Sequence, residues 1–78
     1  MLVSVEQVRA ARGLLGWSQA RLASASGLSQ PTVKRFETNS TPVSVEALQA
    51  IKIALENAGV IFIDKNGEGV GVRLRKEI

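Results

Sequence analysis

The 78-residue chain contains no cysteine and no histidine. Without cysteine there is no disulfide framework, no thiol chemistry and no thiolate metal site. With neither residue type present, Ser18, Ser29 and Ser44 have no ordinary base to activate them, so they read as helix caps rather than nucleophiles. No catalytic residue, cofactor or metal is expected, and the chain does not read as an enzyme. Asp64, Asn66 and Glu68 alternate as calcium ligands do, but the segment is much shorter than a calcium-binding loop and lacks its closing Glu; it reads as a polar turn. Long apolar runs are missing too. None reaches the roughly 18 residues of a membrane span, and the opening MLVSVEQVRAARGLL lacks the apolar core of a signal peptide. These absences fit a reducing cytoplasm.

A chain of this size is one domain and buries only about 60% of the surface that its unfolded form exposes, which argues against a deep catalytic cavity. Ten Lys and Arg stand against seven acidic residues, a formal charge of +3. The whole surplus lies in residues 1–37, where Arg9, Arg12, Arg21, Lys34 and Arg35 face only Glu6 and Glu37.

Val5, Val8, Ala11, Leu14 and Leu15 recur at helical spacing and predict an amphipathic helix over about 4–15, capped by Ser4 with Gln7 three residues on and ended by Gly16. Ser18 caps a second helix, about 19–26, which carries Leu22 and Ala23 inward and stops at Gly27. A third ends near Thr38, with Val33 and Phe36 on one face. Its start lies at Ser29 or Gln30: Ser29 is a good cap, yet Gln30 precedes a proline and is biased away from helical dihedrals, while Pro31 suits the first helical position. Residues 39–42 read as a loop. The fourth helix, about 45–57, has an inward stripe of Val45, Leu48, Ile51, Leu55 and Ala58, with Gly59 placed to close it. Ile53 lies almost opposite Ile51 and wants cover from the C-terminal tail or from a second subunit.

The tail changes period. Val60–Ile63 is a short apolar run. In residues 70–75, Val70, Val72 and Leu74 alternate with Gly71, Arg73 and Arg75, and the turn chemistry of DKNGEG lies between. Two strands, about 60–63 and 70–75, are predicted. An isolated hairpin is only marginally stable, so it must pack on the helices or meet another copy. An exposed apolar edge invites pairing, and a homodimer built partly from Ile53, Val60, Ile61, Phe62, Ile63, Val70, Val72 and Leu74 is expected.

Residues 19–37 make a sharp helical corner. Ala23 has almost no side chain and admits a close helix crossing, Gly27 turns the chain at positive φ, and Leu28, Val33 and Phe36 plug the angle. The second of these helices then presents Gln30, Lys34 and Arg35 outward. A convex basic helix of this kind fits the DNA major groove, where Gln bonds both edge atoms of adenine and Arg both acceptors of guanine. At the start of the preceding helix, free backbone N–H groups form an anion site, and Arg21 sits there against the helix dipole unless a phosphate docks beside it. Trp17 reads as packed at the helix junction.

On "RAARGLLGWSQARLASASGLSQPTVKRFE" the chain resembles the phage repressor and Cro-like, or xenobiotic-response-element (XRE), family of helix-turn-helix transcriptional regulators, loosely over residues 5–58. The tail "AGVIFIDKNGEGVGVRLR" is similar to that of short bacterial members with a strand pair after the helices. The resemblance implies a mainly α, four- to five-helix lambda-repressor-like domain with a C-terminal β-hairpin, spanning 1–78 with its helix-turn-helix at 19–37. It implies Gln19 on a phosphate or nearby base, Gln30 as the leading base reader, Thr32 and Arg35 as base or phosphate contacts, Lys34 as a further one, and Asn39 on the backbone. Several relatives have a second polar reader where this chain has Pro31, which offers only apolar contact, and the family often has Glu where this chain has Arg21. Arg12 and Glu37 would pair across the helices. The function implied is a sequence-specific repressor of duplex DNA, acting as a dimer on a two-fold symmetric operator; the alternative is a protein-binding adaptor or an antitoxin-like partner of a toxin.

Overall fold

The computed structural model describes residues 2–38, 42–65 and 67–75. The expectations for Asn39 and Asn66, and most of the 39–42 loop, therefore lie outside the described residues. Among the described residues, four helices are followed by a two-stranded antiparallel sheet: α1 (Val5–Leu15), α2 (Gln19–Ser26), α3 (Gln30–Glu37), α4 (Val45–Asn57), β1 (Val60–Ile63) and β2 (Gly71–Leu74). The fold is mainly α with a C-terminal β-hairpin.

Each helix starts on a serine. Ser4, Ser18, Ser29 and Ser44 have extended backbones, and their hydroxyls accept from the N–H of Gln7, Arg21, Thr32 and Ala47. Each such cap contributes about 1 kcal/mol. Ser29 resolves the start of α3: Gln30 is helical despite preceding a proline, and Pro31 sits in the first turn, where a missing N–H costs nothing because those groups have no partner within the helix. Gly16 and Gly27 end α1 and α2 at φ 68° and 75°. No atom lies within 4 Å of a Cβ built on either one, so the left-handed dihedral requires glycine there and crowding does not.

Leu22, Ile51, Leu55, Val8 and Val33 are fully buried and form the centre of the core. α2 packs on both α3 and α4, and Ala23 is buried in the same cluster. The sheet closes one side, with β2 against α1 and β1 against α4. Its register pairs Val60 with Leu74, Ile61 with Arg73, Phe62 with Val72 and Ile63 with Gly71. Phe62 and Val72 pack on the core. The buried Gln7 amide joins the layers, donating to the carbonyls of Ile63 and Gly71 at 3.3 and 3.0 Å.

Several apolar positions depart from the expected faces. Leu14 is exposed; it lies two turns beyond Gln7 on nearly the same line of α1, past the part that the hairpin covers. Val45 is exposed because it is the first residue of α4 and overhangs the core. Val60 is only 3% exposed and belongs to the chain's own core, so it is not available to a second subunit. Ile53 is exposed, so the described tail does not cover it.

Candidate nucleic-acid interface

The corner between α2 and α3 is held by a main-chain bond from Leu28 N–H to the Ala23 carbonyl, 3.0 Å, and by half-buried Leu28. Val33 and Phe36 bury the inner side of α3. That anchoring turns Gln30, Pro31, Lys34 and Arg35 outward, where all four are exposed. The Gln30 side chain makes no hydrogen bond among the described residues. Thr32 is half-buried between them and bridges two neighbours at helical spacing: its hydroxyl lies 2.8 Å from that of Ser29 and accepts from Arg35 Nη2 at 3.4 Å. Arg35 is thereby led along the helix surface.

Beside this face is a cleft of about 450 Å³ lined by Arg9, Arg12, Gln19, Glu37 and Thr38. Its floor is the ion pair implied by the resemblance. Arg12 Nε donates to Glu37 Oε2 at 2.7 Å and Nη2 to Oε1 at 2.6 Å, a two-pronged contact, while Nη1 reaches the Trp17 carbonyl at 2.9 Å. Gln19 Nε2 adds a bond to Glu37 Oε1 at 3.1 Å. Burial alone pushes the Glu37 carboxyl up, but the hydrogen bonds from Arg12 and Gln19 and the charges of Arg12 and Arg9 outweigh it and hold the group below the ordinary glutamate value. The bond to Glu37 raises the Arg12 guanidinium against the opposing effect of its own burial. Because Glu37 neutralises Arg12, the cleft keeps the charge of exposed Arg9.

At the head of α2 the guanidinium of Arg21 lies over the Trp17 ring, 5.0 Å from its centroid. Trp17 packs against the core. The ring's negative face offsets the unfavourable helix dipole at that position. No described helix is long and apolar enough to cross a membrane, and no described group of His, Cys, Asp and Glu is placed to hold a metal ion.

A family model described as helix-turn-helix matches residues 8–56, more than half of the chain. The chain belongs to the Cro-like helix-turn-helix family. No curated protein sequence matches it. The helix-turn-helix regulator so identified is a DNA-binding protein, and the matched segment contains the corner, the cleft and the exposed face of α3. The hairpin lies beyond the match.

Of the DNA contacts expected for this regulator, Gln30, Pro31, Thr32, Lys34 and Arg35 share α3, whereas Gln19 and Arg21 occupy the first turn of α2. Gln19 is half-buried and already gives a hydrogen bond to Glu37. Sequence reasoning missed Arg9. The signal was available, since Arg9 stands one turn before Arg12, on the same side of α1. It also missed the stacking of Arg21 on Trp17, four residues apart, and the reach of Gln7 to the hairpin, which no local pattern encodes.

Proposed function

We propose that the protein is a cytoplasmic transcriptional repressor that binds duplex DNA sequence-specifically as a homodimer, the whole chain acting as one helix-turn-helix domain. α3 enters the major groove. Gln30 reads adenine, Arg35 reads guanine or a phosphate with Thr32 guiding it, Lys34 adds a further contact, and Pro31 meets a thymine methyl. Gln19, Arg21, Arg9 and the N–H groups at the start of α2 hold backbone phosphates. The observation that carries this reading is the exposed row Gln30, Lys34 and Arg35 on a helix whose other side is locked by Val33 and Phe36.

Size supports the dimeric reading. The longest extent of the chain is 32 Å, and it offers one such helix. Successive major grooves on one side of DNA lie about 34 Å apart, so engaging two of them takes two copies. Selection from a randomised duplex pool tests the reading, with enrichment of a two-fold symmetric site as the expected result. A protein partner that buries Gln30, Lys34 and Arg35 and excludes duplex would favour the adaptor or antitoxin alternative.

A further inference from the structure

The two edges of the hairpin are not equivalent. Arg75 N–H donates to the Gly59 carbonyl at 2.6 Å, which makes Gly59 and Arg75 a hydrogen-bonded pair. Bonded and non-bonded pairs alternate along an antiparallel ladder. In the observed register, Ile61 with Arg73 and Ile63 with Gly71 therefore exchange bonds, while Val60, Phe62, Val72 and Leu74 direct their N–H and C=O groups toward the outer edges. On the β1 side that edge is closed at Val60, which is 3% exposed in the core. On the β2 side it is open: Leu74 is 42% exposed, and Val70, just before the strand, 45%.

Leu74 and Val72 stand opposite Val60 and Phe62 and so share the core-facing side; alternation continued one residue before β2 would bring Val70 to the same side. Two apolar side chains thus flank Val72 symmetrically on a strand whose outward N–H and C=O groups have no partner among the described residues. Such a pattern is self-complementary. An antiparallel second copy with the two-fold axis at Val72 sets Val70 against Leu74 of the second copy, and Leu74 against its Val70. Charge selects the same register. An axis at Arg73 would place two guanidinium groups directly opposite, which is destabilising. With the axis at Val72, Arg73 faces Gly71 of the second copy, and Arg75 runs beside its Gly69 and Glu68. Gly71 fits this arrangement: within one chain its φ is not positive, and an added Cβ meets only Ile63 at an ordinary 3.7 Å, so the single chain does not require glycine there. A bare backbone lets the Arg73 stem of the second copy lie across it.

We propose that two copies pair along the free edge of β2 about an axis at Val72, forming a four-stranded sheet in the order β1-β2-β2-β1. This rests on the dimeric reading above and names its interface.

The chain has no cysteine, which makes cross-linking clean. Gly71 and Arg73 would form a non-bonded pair across the interface, with Cα atoms about 4.5 Å apart, within disulfide range. The double variant Gly71→Cys with Arg73→Cys is expected to oxidise to a covalent dimer, while Arg73→Cys alone and Ile61→Cys remain monomeric on a non-reducing gel. Val70→Asp and Leu74→Asp change side chains exposed in the single chain. Each is expected to keep the helical circular dichroism of the parent and to weaken self-association about tenfold or more in sedimentation equilibrium, since each buries unpaired carboxylates at the interface. A parent chain that sediments as a monomer at every soluble concentration would overturn the proposal. A covalent dimer of Arg73→Cys alone, or of Ile61→Cys, would overturn the register or the edge. All readouts are taken without DNA, so a failure of duplex binding and a failure of strand pairing are seen separately.

Discussion

The side-chain nitrogen of Gln7 lies 3.0 Å from the main-chain carbonyl of Gly71, sixty-four residues further along the chain. It also reaches the Ile63 carbonyl, while its oxygen accepts from Ser4 N–H at 2.9 Å. One buried amide thus completes the cap of α1 and grips the end of the hairpin nearest the turn. Gln7→Ala is expected to lower stability by about 2 kcal/mol, combining lost hydrogen bonds with a weakened cap. Urea unfolding measures the loss, and amide exchange is expected to quicken in β1 and β2 more than in α3.

The Arg12–Glu37 pair gives the fold a pH dependence of known sign. Glu37 is 5% exposed and its carboxyl is held below the ordinary value of 4.5. A group with a depressed folded value contributes stability that is fully present above its unfolded value and is lost as pH falls through the folded one. The parent is therefore expected to lose melting temperature as pH drops below about 4.5 more steeply than Glu37→Gln, which has no carboxylate at this position to titrate. Near neutral pH, Glu37→Ala is expected to cost about 3 kcal/mol by leaving Arg12 unpaired, and the double change Arg12→Met with Glu37→Leu less than either single one. Thermal melts across pH check both.

Much of the fold was legible because its signals are local. The serine caps, the left-handed Gly16 and Gly27, and the Val33–Phe36 spacing are each set within a turn or two of the chain. What failed was burial at the ends of elements. The helical period assigns Leu14 and Val45 to inner faces but carries no information on how far the neighbouring layer extends, and both proved exposed. Val60 failed in the opposite sense: an apolar strand residue looks the same whether its own core or a second copy covers it. The outward exposure of Gln30 and Arg35 on α3 was readable from helical phase alone. For Arg9 the helical phase shows only that it shares a side of α1 with Arg12; its place at the cleft comes from the third dimension, where α1 meets Gln19 and Thr38.

Arg9 supplies the cleft's unneutralised charge. Arg9→Ala is expected to weaken binding almost equally on specific and unrelated duplexes, and to reduce the slope of log affinity against log salt by about 0.9, the amount for one phosphate contact. Titrations at several salt concentrations check this, and a loss confined to one sequence would assign Arg9 to base reading.

Trp17 is the only tryptophan and carries Arg21 over its ring at 5.0 Å. Its fluorescence therefore reports on the head of α2. Arg21→Ala is expected to change the emission of the free protein, to cost about 0.5–1 kcal/mol in stability, and to abolish most of the emission change on adding duplex. Fluorescence titration of the parent and the variant measures all three.

If the exposed side of α3 reads base edges, loss of Gln30 isolates that role, because the side chain is uncharged. The measurement is the ratio of affinities for the selected site and a scrambled duplex, for the parent and Gln30→Ala, over a range of salt. The ratio is expected to fall by a factor of roughly 5 to 160 in the variant, equivalent to about 1–3 kcal/mol, with the salt slope unchanged. An unchanged ratio, or equal loss on both duplexes, would contradict that role.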